Sequence, residues 1–305
     1  MKVTLLGPQR RPTVDQVVAD IAVDAPIATV TAGWLERESD DVELDRALSG
    51  RGANLGLYRR WLDVLEHDHE YATAELEHRA VLDELQELYL VQLDHALRAL
   101  YEVAQRGGLR RRMKAAIADA LAVVRLIDER HRNQVWAAQA DFVAAWRPAE
   151  RPVVAAHAAA VNRILADAAA LVVAGGHVGV LVHVLRLFAV RPAESMPLVA
   201  WSAGAMALTE QVVLFHDRIP HGPAHAEVYD DGLGVIPRAV LLPHARRRLR
   251  VDDPLRMSVL ARRFEPASCV VLDDGMRLDL GADGSLPPQA RVIDAHGHIG
   301  TVEAA

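Results

Sequence analysis

Cysteine is almost missing from this chain: Cys269 is the only one among 305 residues. No disulfide can form within the chain, which fits a reducing compartment. Cys269 lies in the run Pro-Ala-Ser-Cys-Val-Val-Leu, whose β-like apolar pattern points to a buried thiol rather than a nucleophile. Aromatic residues are scarce, at 5%, while alanine is abundant, a balance that favours helix. Long apolar runs are also lacking. No stretch approaches the roughly eighteen uninterrupted apolar residues of a membrane span, and the opening Met-Lys-Val-Thr-Leu-Leu-Gly-Pro is too short for a secretory leader. No membrane contact and a cytoplasmic location are therefore expected. Positive charge is not in excess. The formal net charge is −7, which gives no reason to expect nucleic-acid binding. A local basic cluster, Arg246, Arg247, Arg248 and Arg250, reads either as a solvated helix face or as a receiver for an acidic group.

What is present divides into three zones. Residues 1–50 read strand, helix, strand, with apolar runs at Val3–Leu6 and Ile27–Thr31 and a helix starting after Thr13. Residues 51–147 carry leucines and tyrosines at helical spacing, among them Leu82, Leu85, Leu88, Leu93 and Leu97, then Ile117, Leu121 and Val124. With Gly107-Gly108 between the two runs, this predicts an antiparallel helical hairpin preceded by shorter helices. Residues 148–305 return to strand–helix alternation. Strands are expected at 171–174, 197–201, 212–215 and 239–242, with a final hairpin of 269–272 and 276–280 around Asp273-Asp274-Gly275. The predicted fold is α/β: an open, mostly parallel sheet, flavodoxin-like, built from 1–50 and 148–305, with 51–147 as a large α-helical insertion.

One segment stands out chemically. Leu198-Val199-Ala200-Trp201 runs straight into Ser202-Ala203-Gly204-Ala205. An apolar strand that meets a serine among small residues and then a helix is the layout of a nucleophile elbow. Ala239-Val240-Leu241-Leu242-Pro243 likewise delivers His244 past the end of a strand, where active-site groups of open α/β sheets collect. A histidine there can take the serine proton. An acid that orients the imidazole is needed too. Asp217 is the first choice, with Glu227, Asp230 and Asp231 remaining open in what reads as a loop. Gly175-Gly176 ends another strand, and its N–H groups can hold an oxyanion. His216, Asp217, His221 and His225 lie close together as metal ligands can, but on a loop-like run with no fixed spacing to aim the rings. No metal and no cofactor is expected.

These residues resemble peptidase family S51, the dipeptidase E and cyanophycinase group of the class I glutamine amidotransferase-like fold. The resemblance rests on Thr31-Ala32-Gly33-Trp34, on Leu171 through Gly176, on Trp201 through Ala205, and on Gly232-Leu233-Gly234 through His244 and Arg248. It covers residues 1–35 and about 165–265. It implies a serine hydrolase acting on a small peptide or isopeptide amide, with an aspartyl or β-aspartyl group near the scissile bond. Ser202 is then the nucleophile, His244 the base, Asp217 the acid, and Gly176 and Ala203 the oxyanion hole. Gly175, His177, Trp201 and Arg248 are the expected substrate contacts. His177 stands where the family carries Asn or Asp, and bulky Trp201 where it carries a small residue. The alternative is an inactive relative that binds a ligand or a protein partner through its helices. For the helices themselves, a cover over the site and a homo-oligomer interface both stay open.

Overall fold

The computed structural model describes residues 2–9, 13–19, 21, 24–106, 108–216 and 225–304. It opens with β1 (Val3–Leu6), α1 (Asp15–Ala19), β2 (Ile27–Val30), α2 (Val42–Ala47) and β3 (Gly52–Asn54). A helical segment follows: α3 (Leu57–His67), α4 (His69–Gln105), α5 (Arg110–Trp146) and α6 (Pro152–Asp167). The chain then alternates through β4 (Ala170–Val173), α7 (Val178–Leu187), β5 (Leu198–Trp201), α8 (Ala203–Ala207), β6 (Gln211–Leu214) and β7 (Glu227–Asp231). It closes with β8 (Ala239–Pro243), α9 (Ala245–Arg248), α10 (Pro254–Phe264), β9 (Ser268–Leu272), β10 (Arg277–Asp279), β11 (Arg291–Ile293) and β12 (Ile299–Thr301).

The main sheet has six strands in the order β10-β1-β5-β4-β2-β3, parallel throughout except for β10 at one edge. Strands β1, β2, β4 and β5 are buried along their whole length. Apolar side chains on both faces require that both faces be covered, which is why these runs do not alternate. A four-stranded sheet, β12-β11-β9-β8, carries the end of the chain. The fold is thus α/β with a mostly parallel six-stranded sheet and a large helical segment.

Three strand pairings differ from the expectation. The hairpin predicted around Asp273-Asp274-Gly275 is not formed: β9 pairs with β8 and β11, whereas β10 crosses to β1 of the main sheet. The run expected to join the parallel sheet at 212–215 pairs antiparallel with β7 in a ribbon of its own. Glu227, Asp230 and Asp231, read as loop residues, lie on β7. The main sheet also takes its edge strand, Gly52–Asn54, from within the stretch 51–147.

Helices α4 and α5 each span 37 residues. Asp68 caps α4 by accepting the Tyr71 N–H at 3.1 Å, and Arg151 holds the same carboxylate at 2.6 Å. Gly107, from the predicted glycine turn, lies outside the described residues. Tyr89, Leu93, Leu97 and Leu100 of α4 and Leu121 and Val124 of α5 are buried in the main core. A polar knot ties the hairpin to the α/β body. Asp128 on α5 pairs with the fully buried Arg263 of α10 at 2.6 Å, and Tyr89 donates to Asp128 at 2.9 Å. The Tyr89 hydroxyl in turn accepts from Val228 N–H of β7 at 3.0 Å, and Arg263 donates to the Ala226 carbonyl at 2.6 Å. Every member has partners, so the buried charge is compensated.

Candidate active site

The sheet order creates a crevice before any side chain is considered. From β2 the chain moves outward to β3; from β4 it moves the other way, to β5. Neighbouring strands whose onward connections diverge leave a gap at their carboxyl ends, where ligands of open α/β sheets bind. A cleft of about 450 Å³ lies there. Its walls come from the residues that follow five strands: Gln9 after β1, Trp34 after β2, Gly176 after β4, Ser202 after β5 and His244 after β8.

Ser202 has φ 51° and ψ −125°, a conformation that costs a non-glycine residue energy. The strain is held by its surroundings. Gly204 lies so close to β4 that a Cβ there would sit 2.4 Å from the Val173 carbonyl oxygen. The small residues of Ser202-Ala203-Gly204-Ala205 are therefore a packing requirement, and they leave the serine at the sharp turn facing the cleft. The Gly175-Gly176 turn adjoins it. A Cβ on Gly175 would meet Ser202 Cβ at 2.9 Å and Oγ at 3.3 Å. Gly176 has φ +122° and lies against Gly33, whose carbonyl oxygen would be 2.2 Å from an added Cβ. His177 N–H donates to that same carbonyl at 2.8 Å, locking the β2 and β4 ends together. Among the described residues no backbone carbonyl takes the N–H of Gly176 or Ala203.

His244 begins α9 with a left-handed backbone, φ 56° and ψ 34°. Its N–H reaches the Leu272 carbonyl at 3.3 Å. The parallel register pairs Pro243 with Leu272, so the residues that follow the two strands lie side by side. Asp274 is thereby brought next to the imidazole, with Oδ1 3.6 Å from Nδ1. Burial is the main influence on this ring and, with the nearby Arg248, pushes its pKa below the usual histidine range; Asp274 opposes the shift. That shift favours the neutral ring, the form that can accept a proton. His244 and Ser202 line one cleft without a direct hydrogen bond among the described residues.

The other expected site residues fall in varied places. Trp201 lines the cleft. His177 caps α7, its Nδ1 accepting from Val180 N–H at 3.2 Å, and does not line the cleft. Arg248 is half-buried with its guanidinium 6.0 Å from the Phe215 ring, and it too lies off the cleft wall. Asp217 and His221 lie outside the described residues. The three alternative acids are engaged elsewhere. Asp230 pairs with Arg186 and Asp231 with Arg132, each at 2.7 Å, and Glu227 is half-buried beside Gln86 of α4. Among the described residues no three His, Cys, Asp or Glu side chains group as a metal site. Asp274 does not stand out in the sequence, because Asp-Asp-Gly between two apolar runs carries the signature of a hairpin turn; its place after a strand is the available signal.

No family profile matches the chain, and no curated protein matches it. Among solved structures, a peptidase from an acI-B1 Actinobacterium is similar over 96% of this chain and 86% of its own, at 13% identity and a TM-score of 0.42. That likeness is too distant to bear on chemistry. Among the described residues no helix is long and apolar enough to cross a membrane.

Proposed function

We infer that the protein is a serine hydrolase that cleaves a small peptide or isopeptide amide through an acyl-enzyme. The observation that carries this reading is the strained Ser202 turn at the base of a cleft that His244 also lines. Ser202 Oγ attacks the substrate carbonyl, and His244 takes its proton through Nε2, the nitrogen left free when Nδ1 faces Asp274. The N–H groups of Gly176 and Ala203 receive the oxyanion. His244 then protonates the leaving amine, and water repeats the sequence to release the acyl group. Asp274, in place of Asp217, orients the imidazole and stabilises its charged form. No cofactor enters the scheme. The cleft volume suits a substrate of dipeptide size, and the S51 resemblance adds an aspartyl or β-aspartyl group.

The test is amine release from a panel of aspartyl dipeptides and β-aspartyl-arginine, with wild type beside Ser202→Ala. Wild type should turn over at least one member, and the variant should lose several orders of magnitude. Equal cleavage by the two proteins would exclude Ser202 as the nucleophile. A silent wild type that binds panel members without cleaving them would favour the inactive, ligand-binding relative.

A further inference from the structure

The outer face of α5 carries apolar side chains that no other described residue covers. Trp136 is 65% exposed, Val143 54% and Leu126 52%. With Ala122, Glu129, Asn133 and Ala140 they recur at alternating steps of four and three residues along one side of the helix. That is the spacing of a seam that packs against another helix. The same face holds a depression of about 410 Å³ lined by Leu126, Glu129, Arg130, Asn133, Gln134 and Ala137. These positions form two overlapping sets at i, i+3, i+4 and i+7, the sockets that receive a knob from a facing helix. The charges in the socket balance, one Glu and one Arg. The largest exposed knob on this face, Trp136, stands beside the socket on the same helix, so it cannot fill it within one chain.

We propose that a second copy of this chain docks here, α5 against α5 and antiparallel, with Trp136 of each copy in the Leu126–Asn133 socket of the other. A surface that carries both knob and socket is self-complementary, as a two-fold interface requires. The pairing sets Trp136 over the partner's Arg130, a favourable cation–π placement. It sets Leu126 opposite Ala140, and Val143 opposite the Ala122–Val123 step, so large side chains meet small ones. Asn133 falls beside the axis. The contact runs about 33 Å along the helix, from Ala122 to Ala144 at 1.5 Å per residue. It does not depend on the chemistry proposed for the cleft.

The natural chain favours a clean test, because its one cysteine, Cys269, is buried. Sedimentation equilibrium on the full chain at micromolar concentration should give twice the monomer mass of 33.3 kDa. Asn133→Cys should form an intermolecular disulfide on mild oxidation, since side chains beside the axis approach within bridging distance. Leu88→Cys, at a position 55% exposed on α4, should not. Trp136→Asp should sediment as a monomer with an unchanged circular dichroism spectrum. A monomeric wild type overturns the proposal. So does a dimer that cross-links through position 88 but not 133, or one that survives Trp136→Asp.

Discussion

Asp274 lies 3.6 Å from His244 and acts on its charge, so replacing it has a signed consequence. The carboxylate raises the imidazole pKa against burial and Arg248, which lower it. Asp274→Asn should therefore move the acid limb of the kcat/KM profile to lower pH and reduce kcat, since the imidazolium loses its counter-charge. Arg248→Met should shift the same limb to higher pH. A pH–rate series on the three proteins checks both directions. An unmoved limb in Asp274→Asn would remove that residue from the mechanism. Gly175→Ala tests the neighbouring turn: its Cβ would press on Ser202 from 2.9 Å. Turnover in the amine-release assay should fall by about ten-fold or more through displacement of the hydroxyl, and the melting temperature should fall as well, because the Ser202 Cβ it meets belongs to a tightly packed turn.

At the scale of elements, the decisive contact is the knot that joins the helical hairpin to the strands. Arg263 is fully buried and held by Asp128, Tyr89 and the Ala226 carbonyl. Arg263→Met would leave the Asp128 carboxylate buried without its partner. The expected cost is about 3–5 kcal/mol, a fall in melting temperature of roughly 10 °C. Arg263→Met with Asp128→Leu should recover much of the loss, because no charge is then stranded. Calorimetry on the single and double variants reads this. A double variant no more stable than the single one would mean that packing, not stranded charge, dominates. The elements themselves were largely legible in the sequence. The apolar runs at 3–6, 171–174 and 239–242 and the periodic leucines of α4 and α5 are local signals, and local signals survive in a linear chain.

For the molecule as a whole, one buried histidine links stability to pH. His131 stacks on Tyr89 at 4.1 Å, and burial pushes its pKa from 6.5 to about 4. The folded value is depressed, so the unfolded chain takes up the proton first as pH falls. The stability is fully present above pH 6.5 and declines between 6.5 and 4, by an amount of the order of 3 kcal/mol. Urea unfolding across that range should show the decline, and His131→Phe, which keeps the stacked ring, should flatten it. Equal slopes in the two proteins would assign the effect to other groups. The chain by itself determined where the long helices and the buried central strands form and which serine meets a strained turn, since periodicity and small-residue spacing act over a few neighbours; the short strands β3 and β7 carry no such local signal. Tertiary structure alone decided which strands pair. Met276–Leu280 looks like the partner of 269–272, yet β10 joins β1 and β9 joins β8. The same choice puts Asp274 beside His244, because parallel neighbours align the residues that follow them. Pairing of that kind depends on which surfaces bury each other across long stretches of chain, and no short window of sequence contains it.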